Sequence, residues 1–341
     1  MVVGVRVYFF VVIVVLTASL ALASPPPVKS FVVYYGPDRV DELSKFDLAI
    51  VSPLLEEYEV RELRDRGVVA LGYISLTTLG GWEPWYNLTG VEVVGNESTW
   101  GEVIVNPCSE AWRNVVVRGA GGYLIGKGFS GFFLDNLDMV DAYPWMKPCV
   151  VGLVAVLREE YPGVVIIVNR GFTVLDEVSG YIDGVLFEDF ATYYDFNQKK
   201  YLKWSGRDLE WVRAQAERLT KLREERGILV LALGYADIND PDENYEYSKY
   251  VNEMAAQYGF IPYTSEITLM KINALYPDIL SQGEEHETKP LPPAQPPKET
   301  RTAEQNTALD NLFFILVSLM VSLLFLALVI VLIVTSRKSR K

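Results

Sequence analysis

Between residues 31 and 273, short apolar runs rich in β-branched residues alternate with stretches of helical periodicity. The runs cover residues 31–36, 46–52, 68–75, 131–135, 164–169, 184–188, 228–235 and 260–265. Each is nearly continuous in apolar residues and stops at Gly, Pro, Asp or Asn, as strands covered on both faces do. Between the sixth and seventh runs, Leu209, Val212, Ala216, Leu219 and Leu222 form one stripe opposite Arg and Glu, and Gly227 closes it. A second helix is predicted over residues 150–160, ahead of Pro162. Eight strands with helical crossovers in ~250 residues is the arithmetic of an α/β (β/α)8 TIM barrel. A doubly wound open sheet is the alternative, and polar residues at most strand C-termini favour the closed form.

The same pattern marks both ends. Arg6, an apolar run over residues 7–23 and the small-residue site Ala21-Leu22-Ala23 predict a signal peptide over 1–23, with an uncleaved anchor as the alternative. Residues 312–334 carry no charge and are long enough for one transmembrane helix. Arg337, Lys338, Arg340 and Lys341 follow, so the tail 335–341 is expected in the cytoplasm and the barrel, 24–276, outside the cell. The basic tail argues against a GPI-type signal. The Pro-rich segment 277–311 reads as a disordered tether. Asn87-Leu88-Thr89 and Asn96-Glu97-Ser98 are glycosylation sequons, in keeping with an external face.

Charge and rare residues narrow the chemistry. Of 31 Lys and Arg, five (Arg6, Arg337, Lys338, Arg340, Lys341) lie outside residues 24–311, which leaves 26 against all 44 Asp and Glu, a net of −18. Such a surface repels nucleic acid and attracts cations. The one histidine, His286, stands in the tether, so triads that need histidine are excluded from the barrel. Cys108 and Cys149 are too few for a four-thiolate zinc site. In an oxidising exterior they would pair, and otherwise they are two buried thiols. No metal or cofactor is called for.

Active sites of such barrels lie at the strand C-termini. Those ends carry Tyr34, Tyr35, Ser52, Tyr73, Ser75, Asp135, Asn136, Asp138, Asn169, Arg170, Glu188, Asp189, Tyr235, Asp237, Tyr263 and Glu266. A ring of carboxylates, amides and phenols suits glycoside hydrolysis, in which two carboxyl groups flank one bond. Asp135 and Glu188 each end an apolar strand, four and six, and are the candidate catalytic pair. By analogy with barrels bearing acids on those strands, Asp135 is expected to be the nucleophile and Glu188 the general acid/base, with the exchanged assignment as the alternative. Phe187 and Phe190 flank Glu188 and are expected to raise its pKa by desolvation. Tyr35, Tyr73, Asp138, Asn169, Arg170, Tyr235 and Asp237 are candidate substrate-binding residues. An acid at a strand end can instead cap a helix, the reading preferred for Asp138 and Asp189. Trp82, Trp85, Tyr86 and Trp100 in the long segment 76–107 either stack on sugars or pack that loop down. Gly119, Gly121, Gly122, Gly126 and Gly128 read as a helix-end turn, not a phosphate loop.

Three segments in order, 128–138 (Gly-Phe-Ser-Gly-Phe-Phe-Leu-Asp-Asn-Leu-Asp), 168–172 (Val-Asn-Arg-Gly-Phe) and 183–188 (Asp-Gly-Val-Leu-Phe-Glu), resemble the endo-α-1,4-polygalactosaminidase family, glycoside hydrolase family 114, and its TM1410-like relatives. Gly72-Tyr73-Ile74-Ser75, Ala111-Trp112-Arg113 and Gly259-Phe260-Ile261-Pro262-Tyr263 add to the likeness, which spans residues 31–273. It implies a TIM barrel that hydrolyses α-1,4-linked galactosamine polymers, here as a membrane-anchored extracellular enzyme. The chain departs from the family pattern at Leu76-Thr77-Thr78 and at Gly234-Tyr235, both expected near the pocket. Those departures motivate the alternative, a non-catalytic carbohydrate-binding cell-envelope protein on the same barrel.

Overall fold

The computed structural model describes residues 28–87 and 90–277. Its centre is one parallel sheet in sequential order. The strands are β1 (Phe31–Tyr34), β2 (Leu48–Val51), β3 (Val69–Ser75), β4 (Gly131–Asp135), β5 (Val165–Asn169), β6 (Gly184–Phe187), β7 (Leu229–Tyr235) and β8 (Ile261–Ser265). All eight expected strands are present, within two residues of their expected limits. The sheet curls until its edges meet: the Phe31 ring of β1 lies edge-on to Tyr263 of β8, with centroids 5.7 Å apart. Just beyond them Tyr35 N–H donates to the Leu269 carbonyl at 2.8 Å. The result is a nearly closed (β/α)8 barrel without the reversal of strand order that defines an open doubly wound sheet.

Helices cover the outer face. The predicted stripe lies on the helix Gly206–Arg226, where Val212, Ala216, Leu219 and Leu222 are buried and Gly227 ends the helix at φ 72°. The helix Lys147–Glu160 starts three residues earlier than its pattern suggested, with Pro148 in the first turn, where the missing N–H costs nothing. The glycine run behaves differently from expectation. Only Gly128 (φ 96°) ends a helix; the other four lie inside the continuous helical stretch Val115–Gly121 and Gly122–Lys127. At Gly121 the reason is close approach, since a Cβ there would stand 2.9 Å from the Tyr161 ring.

Two additions rise from the C-terminal face. Residues 76–107, read as a loop, fold into a small antiparallel sheet of Thr78–Leu79, Glu102–Val105 and Val93–Glu97, in that order. Its base is fastened by the Trp112 indole N–H, which donates to the Leu76 carbonyl at 2.8 Å. A disulfide from Cys108 to Cys149 ties it to the helix after β4. The second addition is a hairpin, Thr192–Asp195 with Lys200–Lys203, after β6. Asn87 and Asn96 are both exposed. The signal segment 1–23, His286, nearly all of the tether 277–311, the span 312–334 and the tail 335–341 lie outside the described residues. Among the described residues no helix is long and apolar enough to cross a membrane.

At the opposite, N-terminal face a buried ion pair locks β5 to β6. Asp183 accepts from Arg158 Nη2 at 2.6 Å and from Ile166 N–H at 2.8 Å. The rest of the guanidinium donates to the carbonyls of Tyr181 and Val164. Removing one partner leaves a buried charge uncompensated. Asp183→Ala should therefore lower stability by about 3–5 kcal/mol, read by urea unfolding. The folded variant should keep its ligand affinity, because this face lies away from the mouth.

Candidate active site

Side chains alternate along a strand, so every second residue of a barrel strand points inward. The C-terminal ends of β3 to β7 thereby bring Tyr73, Ser75, Asp135, Asn169, Glu188 and Tyr235 to one mouth. The β3–β4 register sets Ser75 beside Asp135. The expected pair is joined by a single atom. Asn169 Nδ2 donates to Asp135 Oδ1 at 2.9 Å and to Glu188 Oε2 at 2.6 Å. The two protons of a planar amide diverge by about 120°, so these two acceptor oxygens stand about 5 Å apart. Tyr235 OH donates to the other oxygen, Glu188 Oε1, at 2.5 Å. Asn136 N–H donates to Asp135 Oδ1 at 2.7 Å. Asn169 Oδ1 is buried and meets no hydrogen-bond donor.

Backbone strain collects at these three strand ends. The residue after each of Asp135, Asn169 and Glu188 is left-handed: Asn136 at φ 61°, Arg170 at φ 48° and Asp189 at φ 58°. None is glycine, and such conformations cost about 1–3 kcal/mol each. They turn the chain sharply so that the preceding side chain stays over the mouth.

Acids crowd the site. Burial, then the charge of Glu188, pushes the Asp135 carboxyl up to about 7, against the lowering effect of the Asn169 hydrogen bond. Asp189 is likewise pushed up to about 7, by burial and then by Glu188. Asp138 is raised by burial and held back by Arg170. Arg170 serves both, with Nη1 3.4 Å from Asp189 and Nε 3.9 Å from Asp138. Neither acid takes the helix-capping role, and Asp138 makes no side-chain cap bond to the helix it precedes. Burial, then the charges of Asp135 and Glu188, raises Tyr35 well above the ordinary phenol range. Burial comes first for Tyr73 and Tyr235 as well, followed by Asp135 and Glu188 respectively. All three phenols therefore stay protonated as donors.

The structure thus groups Tyr35, Tyr73, Asp138, Asn169, Arg170 and Tyr235 around the pair. Asp237 stands apart at the rim, where its Oδ1 accepts from both the backbone and side-chain N–H of Asn239. Phe187 and Phe190 differ from expectation. Phe187 precedes Glu188 by one residue and so faces outward, against Phe172 and Trp211. Phe190 packs on Tyr258 and Phe260. Their rings belong to the strand–helix layer, and the burial that matters is that of Asp135.

The two departures from the family pattern also have a place. Gly234 faces outward, where a Cβ would meet Val251 Cγ2 at 2.4 Å and Thr192 Oγ1 at 2.6 Å. Thr192 fills that space and accepts from Tyr235 N–H at 2.8 Å. Thr77 braces the site from below, its hydroxyl donating to the Asn136 carbonyl at 2.9 Å. Neither position lines the mouth.

One participant has no signal of its own in the sequence. Glu102, on the small sheet, is buried and accepts from Thr78 Oγ1 at 2.6 Å. Asn136 Nδ2 in turn donates to Thr78 Oγ1 and Ser75 Oγ, each at 3.0 Å. Glu102 comes 27 residues after Ser75 and opens a short strand outside the barrel, away from the C-terminal strand ends where acids are sought.

Comparison with known proteins agrees with this architecture. The model of glycoside-hydrolase family GH114 matches residues 17–281. The glycoside hydrolase domain of PelA from Pseudomonas aeruginosa has a similar fold, at 21% identity over 72% of this chain and 98% of that chain, with a TM-score of 0.63. Aspergillus fumigatus Ega3, solved in complex with galactosamine, is similar at 14% identity over 73% of this chain and 95% of that chain, with a TM-score of 0.57. No curated protein sequence matches. With a carboxylate pair at the C-terminal mouth of the barrel and a family match over most of its length, the chain belongs to glycoside-hydrolase family GH114.

Proposed function

We propose that the protein hydrolyses an α-1,4-linked, galactosamine-containing polysaccharide through Asp135 and Glu188. The observation that carries this reading is the single Asn169 amide nitrogen bonded to both carboxyl groups. The facing oxygens of the pair, about 5 Å apart, suit the roughly 5–5.5 Å of retaining glycosidases better than the ~6.5–9.5 Å that inversion needs for its water. Asp135 attacks the anomeric carbon, and the bond to the leaving oxygen breaks as Glu188 protonates it. Water, deprotonated by Glu188, then releases the sugar from Asp135. Asn169 and Tyr235 hold the two groups in register.

The amino sugar follows from the charge of the mouth. Asp135, Asp138, Glu188 and Asp189 face one another with Arg170 as the cation among them. A substrate ammonium relieves that repulsion, and a sugar N–H or O–H supplies the donor that Asn169 Oδ1 lacks. An ammonium beside Asp135 also favours its ionised form, the form that attacks. The substrate assignment accords with the galactosamine bound to Ega3. We further place the barrel outside the cell on the C-terminal span, a location that suits the Cys108–Cys149 disulfide. Wild-type protein that binds the polymer and never cleaves it would favour the non-catalytic alternative.

Three outcomes test this reading. Asp135→Asn and Glu188→Gln should each reduce turnover of poly-α-1,4-galactosamine by on the order of 10³-fold or more, with the initial product anomer retained in the wild type. A wild type that releases the opposite anomer rules out attack by Asp135. The active pair carries one proton, and Asp135 is raised to about 7. In a pH profile, kcat/KM should accordingly fall as pH rises through about 7, where that proton is lost. Asn169→Ala removes a donor that stabilises ionised Asp135, so its alkaline limb should move to higher pH while the plateau drops. Finally, protease added to intact cells should cut the Pro-rich tether and release the barrel, leaving the 335–341 tail protected; release of the tail argues for the reverse orientation.

A further inference from the structure

Trp82 is a large aromatic residue left 43% exposed beside a buried catalytic cluster. Its ring lies 5.7 Å from that of Tyr73. Tyr73 OH is in turn 3.4 Å from Asn136 Nδ2, one residue from Asp135. The exposed indole is therefore continuous with the mouth. It is also built into place. The Trp82 indole N–H points to Glu102 Oε1 at 3.4 Å. The ring lies directly on Gly80, where a Cβ would come within 2.4 Å of Trp82 Nε1 and 3.0 Å of Glu102 Oε1. Gly80 N–H is anchored to Glu83 Oε1 at 2.8 Å, which fixes the turn carrying Trp82.

The second oxygen of Glu102 serves a different group. The Thr78 hydroxyl donates to Glu102 Oε2. Thr78 Oγ1 is then free to accept from Asn136 Nδ2 and from the Ser75 hydroxyl 2.7 Å away. The hydrogen bonds thus run in one direction, from Asn136 through Ser75 and Thr78 to Glu102. Asn136 is the left-handed residue whose N–H holds Asp135 Oδ1. One buried carboxylate therefore supports the exposed indole with one oxygen and the strand end that carries Asp135 with the other.

We propose that Trp82 is the stacking wall of a sugar subsite next to Asp135, and that Glu102 is the positioning residue that sets both the wall and the Asn136–Asp135 turn. The inference rests on the glycosidase reading and deepens it. The ligand class is one pyranose ring of the polymer, laid with its C–H face on the indole. Because the two roles use different oxygens, they separate kinetically. Trp82 touches bound sugar and controls KM, whereas Glu102 acts through Asn136 and reaches kcat as well.

The test uses the complete protein with α-1,4-linked oligogalactosamine, measuring kcat and KM by reducing-end release and Kd by calorimetry. Trp82→Ala should raise KM and Kd on the order of tenfold and change kcat little, and Trp82→Phe should recover most of the affinity. Gly80→Ala, which displaces the indole without deleting it, should reproduce the Trp82→Ala defect. Glu102→Gln is isosteric, and should keep the melting temperature near wild type while lowering kcat on the order of tenfold and raising KM. Unchanged KM and Kd in Trp82→Ala, or wild-type kcat and KM in Glu102→Gln, overturn the proposal. If the wild type does not hydrolyse the oligomer, the glycosidase reading fails, and the Kd of Trp82→Ala still decides the subsite.

Discussion

Two carboxyl groups on different strands share one amide nitrogen, and the rest of the mouth is arranged around that contact. Bringing Asp135 and Glu188 within about 5 Å of each other in a buried place costs electrostatic energy, which appears as the upward shift of Asp135 to about 7. The cost is tolerated because each oxygen of Glu188 has a donor and Asp135 has two. Asn169 can bridge them because β5 lies between β4 and β6 in a sheet whose order follows the chain. Pairing of β4, β5 and β6 is thus a condition for the site as much as for the core.

The buried ion pair and the proposed site occupy opposite ends of the barrel. At the N-terminal end a buried acid, Asp183, has a full-charge partner in Arg158 and a second donor in the Ile166 N–H. At the C-terminal end four acids gather, only Asp138 and Asp189 of them beside Arg170, and three non-glycine residues sit in left-handed conformations. Such an end is unfavourable in isolation. It is held by the small sheet, with its disulfide and the Trp112–Leu76 bond, and by the hairpin after β6, where the Trp204 indole donates to the Asp189 carbonyl at 2.6 Å. The additions therefore do two things at once: they wall the mouth and brace its strained turns.

The position of Glu102 gives the small sheet a reason to be rigid. A floppy loop would leave Thr78 free to reverse its hydroxyl and would let Asn136 turn away from Asp135. Packing of Ile104 and Val105 against the core, with Thr77, Thr78 and Glu102 all buried, prevents this. The same packing removes the long segment 76–107 from the class of loops and makes it part of the scaffold.

Local pattern was sufficient for the strands, because near-continuous apolar runs of four to seven residues between turn residues have few other uses. It was sufficient too for Asp135, Asn169, Glu188 and Tyr235, since a polar residue ending such a run must face the C-terminal mouth. Direction was harder. Phe187 adjoins Glu188 in sequence yet faces the helices, because successive side chains leave a strand on opposite sides. Asp237 reads like its neighbours but bonds within its own turn. Glu102, Trp82 and Gly80 carry no strand-end signature, and their meeting with Asn136 depends on how the small sheet folds back over β3 and β4. What the sequence by itself determined was the barrel and the acids at its strand ends, since both are written in short-range periodicity. Which groups touch those acids was decided only by tertiary structure, because contacts such as Asn169 with Asp135, 34 residues apart, exist only once β4 and β5 have paired.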